Sequence, residues 1–556
     1  MTALPQLESS ISAAVGSLLE TQRPDGSWQD FLPSAAISTA TSVVALHYSD
    51  PDSSAVLVTR GLRWLRENQL PCGGWGDAPC ARPSLPATAF AVAALALLAP
   101  SESKPEIASA VSWIESVGGM EAVADPDRCA LHVLCLQFLA LAGLYDERRI
   151  RRMPAGVALL PRKLRQKVSF VVPVTLAWTV MQSHTRQFSW PMRMLFRAAE
   201  GPASTYFDEL TEYEPPDGGS QESPLLVSLI GFAFARAGER RDLVERSVRY
   251  LHRTVRPDGS WPVNRDLELS ATTFVTMGLQ DAGARDDDRL TSTNRWIRSN
   301  QWNTPFSPTG CPSGGWAWSS ESGWPNSDDT ADALMSLAGF GHDASDPQIA
   351  DGISWLLQMQ NRNGSWSCFC KDNHVALDAP CAVITAHAVD ALIRAGGLDA
   401  DHVAIRRAVS WFGRTQNDDG SIGCLWYRGK TAGTAQVLEV LGELGLADAR
   451  TARRCIEWLS ANQNPDGGWG DGEGAESSAE ETAWALSGLL RAGVPADDQR
   501  PAEAATWLIE RQRPDGMWTP TVLGVYFLDL WYCDDLLATG YTLQALARFR
   551  RAKEAA

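Results

Sequence analysis

Helical patterns come in pairs along this chain. A helical stretch such as residues 453–459 leads into a short glycine-bearing word. A second helix follows, opening at a polar residue and rich in Ala and Leu, as in Thr482-Ala483-Trp484-Ala485-Leu486. Thr434, Thr385 and Thr330 open the same pattern upstream. The word itself is Gln, three residues, Gly, one residue, Trp. It reads Gln22…Gly26-Ser27-Trp28 and returns at Gln69…Trp75, Gln360…Trp366, Gln463…Trp469 and Gln512…Trp518. Degraded copies are Val255…Trp261 and Gln416…Ile422, and Gly314-Gly315-Trp316 follows Gln301 after an insertion. From residue 316 the steps to 366, 422, 469 and 518 are 50, 56, 47 and 49. Such a period marks stacked supersecondary units. Two helices per unit, closing around an axis, predict an all-α fold of α–α barrels. The words are structural on this reading: an amide that caps backbone groups and an indole stacked on the next unit.

The words are dense from Trp261 onward and sparse between Trp75 and Trp261. Two barrel domains are therefore expected, 21–245 and 246–556, with 1–20 a helix free to dock on the C-terminal barrel. Pro215-Pro216-Asp217-Gly218-Gly219-Ser220 is a turn-rich break just before the division.

Composition agrees with a large folded core. Of 556 residues, 44% are hydrophobic and 21% charged, and the net charge is −17. That acidity argues against a nucleic-acid partner. No basic-then-apolar leader and no apolar run of membrane-spanning length is evident, so the expected location is cytoplasmic, or peripheral on the inner membrane face. Eleven scattered cysteines read as reduced thiols. The outlier is tryptophan, 22 against 9 Tyr and 16 Phe, which the repeated word explains.

Function should sit where one unit departs from the others. Asp328-Asp329 stand before Thr330, where other units carry Glu480-Glu481, Gly433 or Val383-Ile384. His387 stands two residues after Thr385, at the position of Trp484, Gln436 and Asp332. Equivalent positions share a height in the barrel, so Asp328 and His387 differ by about 6 Å along the axis. Neighbouring axes lie roughly 8–10 Å apart, a gap that a carboxyl and an imidazole can bridge. A helix N-terminus and an imidazolium strengthen the acid, while burial keeps its proton in place at rest. Protonation of an alkene asks for such an acid. The plainer reading makes Asp328-Asp329 helix caps and His387 a core histidine.

At these residues the chain resembles the class II terpene cyclases, the squalene–hopene cyclase superfamily. The repeated word is similar to that family's QW motif. Residues 325–331 resemble its Asp-x-Asp-Asp-Thr-Ala acid motif, and Gly314-Gly315-Trp316-Ala317-Trp318 the segment before it. Thr385-Ala386-His387 resembles the segment that supplies the acid's histidine. The resemblance runs from Leu159-Leu160-Pro161-Arg162 to Tyr526-Phe527 and Tyr532, and implies two barrels, β and γ, with a cavity near their junction. It implies Asp328 as proton donor, Asp329 as the carboxylate beside it, His387 as partner and Asn326 at the first motif position. It also implies Trp318, with Trp316, Trp426, Tyr526, Trp531 and Tyr532, as aromatic substrate-binding candidates. A carbocation in a dry pocket can lean only on π faces. Three departures stand out: Asn326 replaces an aspartate, Val383 stands where an aspartate precedes the histidine, and Ala432 stands where a tyrosine is expected.

The resemblance implies a cyclase acting on a linear polyprenyl chain, squalene-like or a prenyl diphosphate. No cofactor is required for a hydrocarbon; Mg²⁺ is implied only for a diphosphate. Two alternatives stay open: an inactive lipid-binding member, and a prenyltransferase β-type subunit. A homodimer and a one-leaflet membrane contact are also open. The basic cluster Arg148, Arg149, Arg151, Arg152, Arg162, Lys163, Arg165, Lys167, leading into apolar 168–181, reads as a headgroup-facing patch, a diphosphate site or a solvated loop. Asp286-Asp287-Asp288 reads as a solvated turn. Cys368 and Cys370 with His374 make a poor zinc set.

Overall fold

A computed structural model describes residues 4–29, 31–78, 81–216, 218–321, 323–373, 375–526 and 530–555. Among the described residues the chain is all-α apart from one antiparallel strand pair, Gly524–Tyr526 with Leu530–Tyr532. Two rings of helices carry it. The inner helices of the first are Ala36–Ser49, Leu85–Leu98, His132–Leu141, Val172–Thr185 and Pro224–Ala237, the last packing back on the first. The second ring has six: Glu268–Asp281, Ser327–Gly339, Ala382–Arg394, Thr431–Glu443, Ala479–Arg491 and Asp535–Ala555. Each packs on the next, and the sixth closes on the first.

The two layers follow from side-chain size and pattern. Inner helices are buried nearly all round, as Leu85–Leu98 is from Leu85 to Leu95, and alanines let such helices pack closely. Outer helices bury one stripe; Arg450–Ala461 buries Ala452, Cys455, Trp458 and Leu459. The stretch Ala376–Arg394 is long and apolar enough to cross a membrane by composition, which the sequence reading did not anticipate. However, 72% of its apolar 18-residue window is buried inside the protein, where Ala382–Arg394 is an inner helix of the second ring.

The repeated word is the joint between layers. Its indole N–H donates to a carbonyl ten residues earlier in the outer helix, Trp469 to Leu459 and Trp366 to Leu356, both at 2.8 Å. Its backbone N–H donates to the threonine hydroxyl of the following inner helix, Trp469 to Thr482 and Trp366 to Thr385, both at 3.0 Å. Its glutamine amide bridges its own glycine carbonyl and the start of the next outer helix, as Gln360 does to Gly364 and Ala404, both at 2.9 Å. Gly364 sits at φ +100°, and a Cβ there would meet the Arg407 carbonyl at 2.4 Å, so the turn demands glycine.

The joints also show where each segment belongs. Helix Leu4–Glu20 packs on Asp535–Ala555 and Gln499–Glu510; Gln512 donates to Ser10 O at 2.9 Å, and Gln22 to Arg289 O at 3.1 Å. It is thus the sixth outer helix of the second ring, and Trp28 joins the same ring through Thr272 at 2.9 Å. Helix Arg241–Thr254 packs on Pro224–Ala237 and Ala36–Ser49, and Trp261 N–H donates to Thr39 at 3.0 Å. The division expected at 245 therefore falls inside a helix of the first ring. A word stays with the outer helix before it, so the Val255…Trp261 copy completes the first ring.

Candidate active site

The acid segment is fixed by its cap. Asn326 precedes helix Ser327–Gly339 with extended backbone, and its side-chain oxygen accepts from Asp328 N at 2.9 Å and Asp329 N at 3.0 Å. Its amide donates to Asp329 Oδ2 at 2.5 Å, and Ser270 Oγ donates to Asp329 Oδ1 at 2.5 Å. Asp329 is thereby turned away from the histidine. Burial pushes its carboxyl up to about 7, against those two hydrogen bonds.

Asp328 points the other way. Its Oδ1 accepts from His387 Nδ1 at 2.7 Å, and its Oδ2 from the Tyr427 hydroxyl at 3.2 Å. Its side chain keeps 18% exposure and faces a cavity. Burial pushes the Tyr427 phenol well above its ordinary range, so it stays a donor. The other ring nitrogen of His387 meets Gln436 Oε1 at 2.5 Å, and Asp332 Oδ1 lies 3.3 Å from Nδ1. Both ring nitrogens thus face oxygen acceptors, which asks for a proton on each. Burial opposes that charge, but Asp332 and Asp328 outweigh it and push the imidazole up to about 10.

The cavity has a volume of about 870 Å³ at the junction of the rings. The first ring contributes Phe170, Gln221, Ser223 and Leu226; the second contributes the acid segment and the aromatic walls. Of the aromatic candidates, Trp318, Trp426 and Tyr532 line it. Phe369 links two of them, with ring centroids 5.8 Å from both Trp318 and Trp426. Trp316 does not line it. Its buried indole is tied to Ile297 O at 2.7 Å and serves the joint between layers, like the other repeated tryptophans. Trp531 does not line it either. Side chains alternate along the strand, so while Leu530 and Tyr532 turn inward, Trp531 packs toward Ala78, Ala81 and Val522. The side chain of Tyr526 lies outside the described part of the structure.

Five residues at the site escaped the sequence reading: Tyr427, Gln436, Asp332, Ser270 and Phe369. Tyr427 follows the degraded word ending at Ile422, and it supplies the hydroxyl that Ala432 lacks. Gln436 and Asp332 occupy the register position of His387 in neighbouring repeats, so that register was the available signal.

Among the described residues, Asp328, Asp332 and His387 form the only group of carboxylate, imidazole or thiol side chains close enough to share an ion. It is an acid–imidazole cluster rather than a cation cage, because a ligating nitrogen needs a free lone pair and both here face acceptors. Cys368 and Cys370 are buried thiols outside any such group; His374 lies outside the described residues. The basic cluster is partly consumed in joining the rings: Arg162 donates to Ser307 Oγ, Lys167 to Lys371 O, and Gln166 to Ser307 O at 2.8 Å. Most of the apolar stretch that follows is the buried inner helix Val172–Thr185, not a surface. Asp287 sits in an exposed turn, paired with Arg289 at 2.7 Å.

Comparison with known proteins gives matches along most of the chain. Residues 268–551 match the family described as squalene-hopene cyclase C-terminal domain, and residues 11–212 the one described as squalene-hopene cyclase N-terminal domain. The squalene–hopene cyclase of Alicyclobacillus acidocaldarius is 26% identical, over 99% of this chain and 98% of that protein. Enfumafungin synthase of Hormonema carpetanum is 24% identical over 95% of this chain and 47% of its own length, so the chain spans about half of that relative. Among solved structures, ent-copalyl diphosphate synthase from Streptomyces platensis matches with a TM-score of 0.62 at 20% identity, over 98% of this chain and 99% of that one. That last likeness is one of fold.

Proposed function

The chain belongs to the squalene–hopene cyclase family of class II terpene cyclases, and on that premise we propose that it cyclises a linear polyprenyl chain by protonation from Asp328. One observation carries the reading: the carboxyl held by His387 and Tyr427 opens into a cavity walled mainly by aromatic and aliphatic side chains.

Asp328 gives its proton to the terminal alkene. A C–H bond forms, the alkene π pair becomes that bond, and a tertiary cation remains. The carboxylate left behind accepts from the imidazolium and the phenol, so its charge is met where it develops. Successive double bonds then close rings, with the positive charge passing over the faces of Trp318, Phe369 and Trp426. Loss of a proton, or capture of water, ends the sequence, and Asp328 regains its proton from solvent.

Among the described residues the cavity lining holds no Lys or Arg. This supports placing the hydrocarbon part of the substrate there, with any diphosphate outside it; Mg²⁺ is needed only in that second case. Leu159, and Trp190 and Met194 on the helix packed against its own, are 43–67% exposed, and Leu164 is exposed a few residues on in sequence beside Arg162 and Lys163, which supports lipid arriving from a membrane surface. The test is product analysis with squalene, farnesyl diphosphate and geranylgeranyl diphosphate, each with and without Mg²⁺, beside Asp328→Asn. A cyclic product that the variant fails to make supports the proposal; an equal product from both refutes it.

A further inference from the structure

The six inner helices of the second ring present one matched position, two residues past the threonine that receives each repeated word. Around the ring it is Phe274, Asp332, His387, Gln436, Trp484 and Tyr541. These side chains form a belt. Phe274 and Tyr541 rings lie 4.5 Å apart, Tyr541 and Trp484 5.2 Å, and His387 meets both Gln436 and Asp332. On one side of the belt is the cavity described above. On the other is a second cavity, about 520 Å³, lined by Asp390, Arg394, Glu439 and Arg548. Three of the belt positions are aromatic and three are polar, and the polar three are consecutive.

We infer that Asp332 is a positioning residue of the acid, the carboxylate that neutralises the His387 imidazolium while Asp328 still holds its proton. The inference rests on the function proposed above. An acid poised to protonate an alkene is neutral at rest, so Asp328 cannot then serve as the ring's counter-ion. A buried imidazolium without one is costly. The charged and titratable groups around the ring leave one candidate. Asp329 is engaged by Ser270 and Asn326. Asp390, on the histidine's own helix, is paired with Arg394 at 2.7 Å, and Glu439 with Arg548 at 2.6 Å. Tyr427 and Tyr541 face the cluster as neutral phenols. Asp332 lies one turn beyond Asp328 on the same helix face, is 1% exposed, and reaches 3.3 Å from Nδ1; burial pushes its carboxyl well above the ordinary range, and the His387 imidazolium is the largest influence holding it toward the charged form. Its Oδ1 has no hydrogen-bond partner of its own; the ring is what it meets. When Asp328 yields its proton, the ring sits between two carboxylates and shares its charge with both.

The test reads the ring directly and needs no substrate. In full-length protein with labelled histidine, the His387 resonance is assigned with His387→Gln and titrated by NMR, alone and in Asp332→Asn. The ring should remain charged at pH 8 in the unmutated chain. In Asp332→Asn its midpoint should fall by roughly 1–3 pH units, as expected on losing an opposite charge in contact. A ring already neutral at pH 8 in the unmutated chain, or an unchanged midpoint in the variant, would overturn the inference. The first of these needs no variant to fold. With a substrate in hand, Asp332→Asn should lower kcat with KM within about two-fold and move the alkaline limb of the rate profile down, while Asp332→Glu restores part of both. An unmutated protein that makes no cyclic product, yet shows the ring shift, would sink the proposed function and leave this pairing standing.

Discussion

Asp328 accepts the Nδ1–H of His387 at 2.7 Å although 59 residues of chain separate them. They belong to adjacent repeats, one two residues before its threonine and the other two residues after. The repeated word fixes the height of each threonine, and so fixes the contact. The catalytic proposal thus rests on the same hydrogen bonds that hold the two helical layers together.

Replacing Asp328 by Asn should leave the fold intact, because the residue is partly exposed and its backbone cap comes from Asn326. Cyclisation should fall by at least roughly 10²–10⁴-fold, the usual scale of a lost acid. Thermal unfolding beside product formation checks both halves of this expectation.

Tyr427→Phe removes one of the two donors to the Asp328 carboxylate while keeping the ring in the wall. A net hydrogen bond of about 0.5–1.5 kcal/mol corresponds to a drop of roughly 2–10-fold in kcat, with KM little changed. Steady-state kinetics would expose the error if KM rose instead.

Truncating Trp318 or Phe369 to Leu should weaken cation stabilisation by about 0.5–2 kcal/mol. Because the charge migrates, the expected signature is a larger share of partly cyclised products rather than a uniform loss of rate. Mass-spectrometric product ratios measure it.

Trp469→Ala should destabilise the chain by about 3–5 kcal/mol, since a fully buried indole and its bond to Leu459 are lost. Gln512→Ala should cost less, about 1–2 kcal/mol, and act by loosening helix Leu4–Glu20 from the second ring. Denaturant unfolding with protease sensitivity near residue 20 distinguishes the two.

Stability should weaken toward alkaline pH. Asp378 is fully buried, accepting from Ser169 of the first ring at 2.6 Å and from Phe369 N at 3.1 Å. Burial, outweighing these bonds, pushes its carboxyl from 3.8 to about 7. A folded acid raised above its unfolded value contributes stability at low pH, and that contribution is lost as pH rises through about 4 to 7. His387, raised from 6.5 to about 10, contributes stability in full below 6.5 that is lost by about 10. Unfolding free energy measured against pH should therefore fall across both windows, and Asp378→Asn should make the first fall shallower, Asp329, also pushed up to about 7, keeping part of it.

Much of this was legible in the sequence because the fold repeats. A fixed period exposes both the two-layer rings and the one unit whose inner helix carries Asp328. Trp318 and Trp426 were legible as aromatics near the acid. Trp316 was misplaced because the family resemblance set it beside Trp318, although its place in the repeated word already marked it as a structural indole. Trp531 was misplaced because the strand pair's alternation was not anticipated within an all-α pattern. Tyr427 was missed because it lies in a loop after a word that has lost its indole, where register gives no guide. That residues 21–28 belong with the second ring was not legible either, since that assignment rests on contacts with helices more than 240 positions away.

The most direct test of the central claim is to run the reaction in D₂O with the accepted polyprenyl substrate and locate the label by NMR and mass spectrometry. Initiation by Asp328 predicts one deuterium on the ring methylene next to the gem-dimethyl carbon of the first ring, and no labelled cyclic product from Asp328→Asn. A cyclic product without deuterium at that position would contradict the account, because the carbocation would then have arisen without a proton from the enzyme.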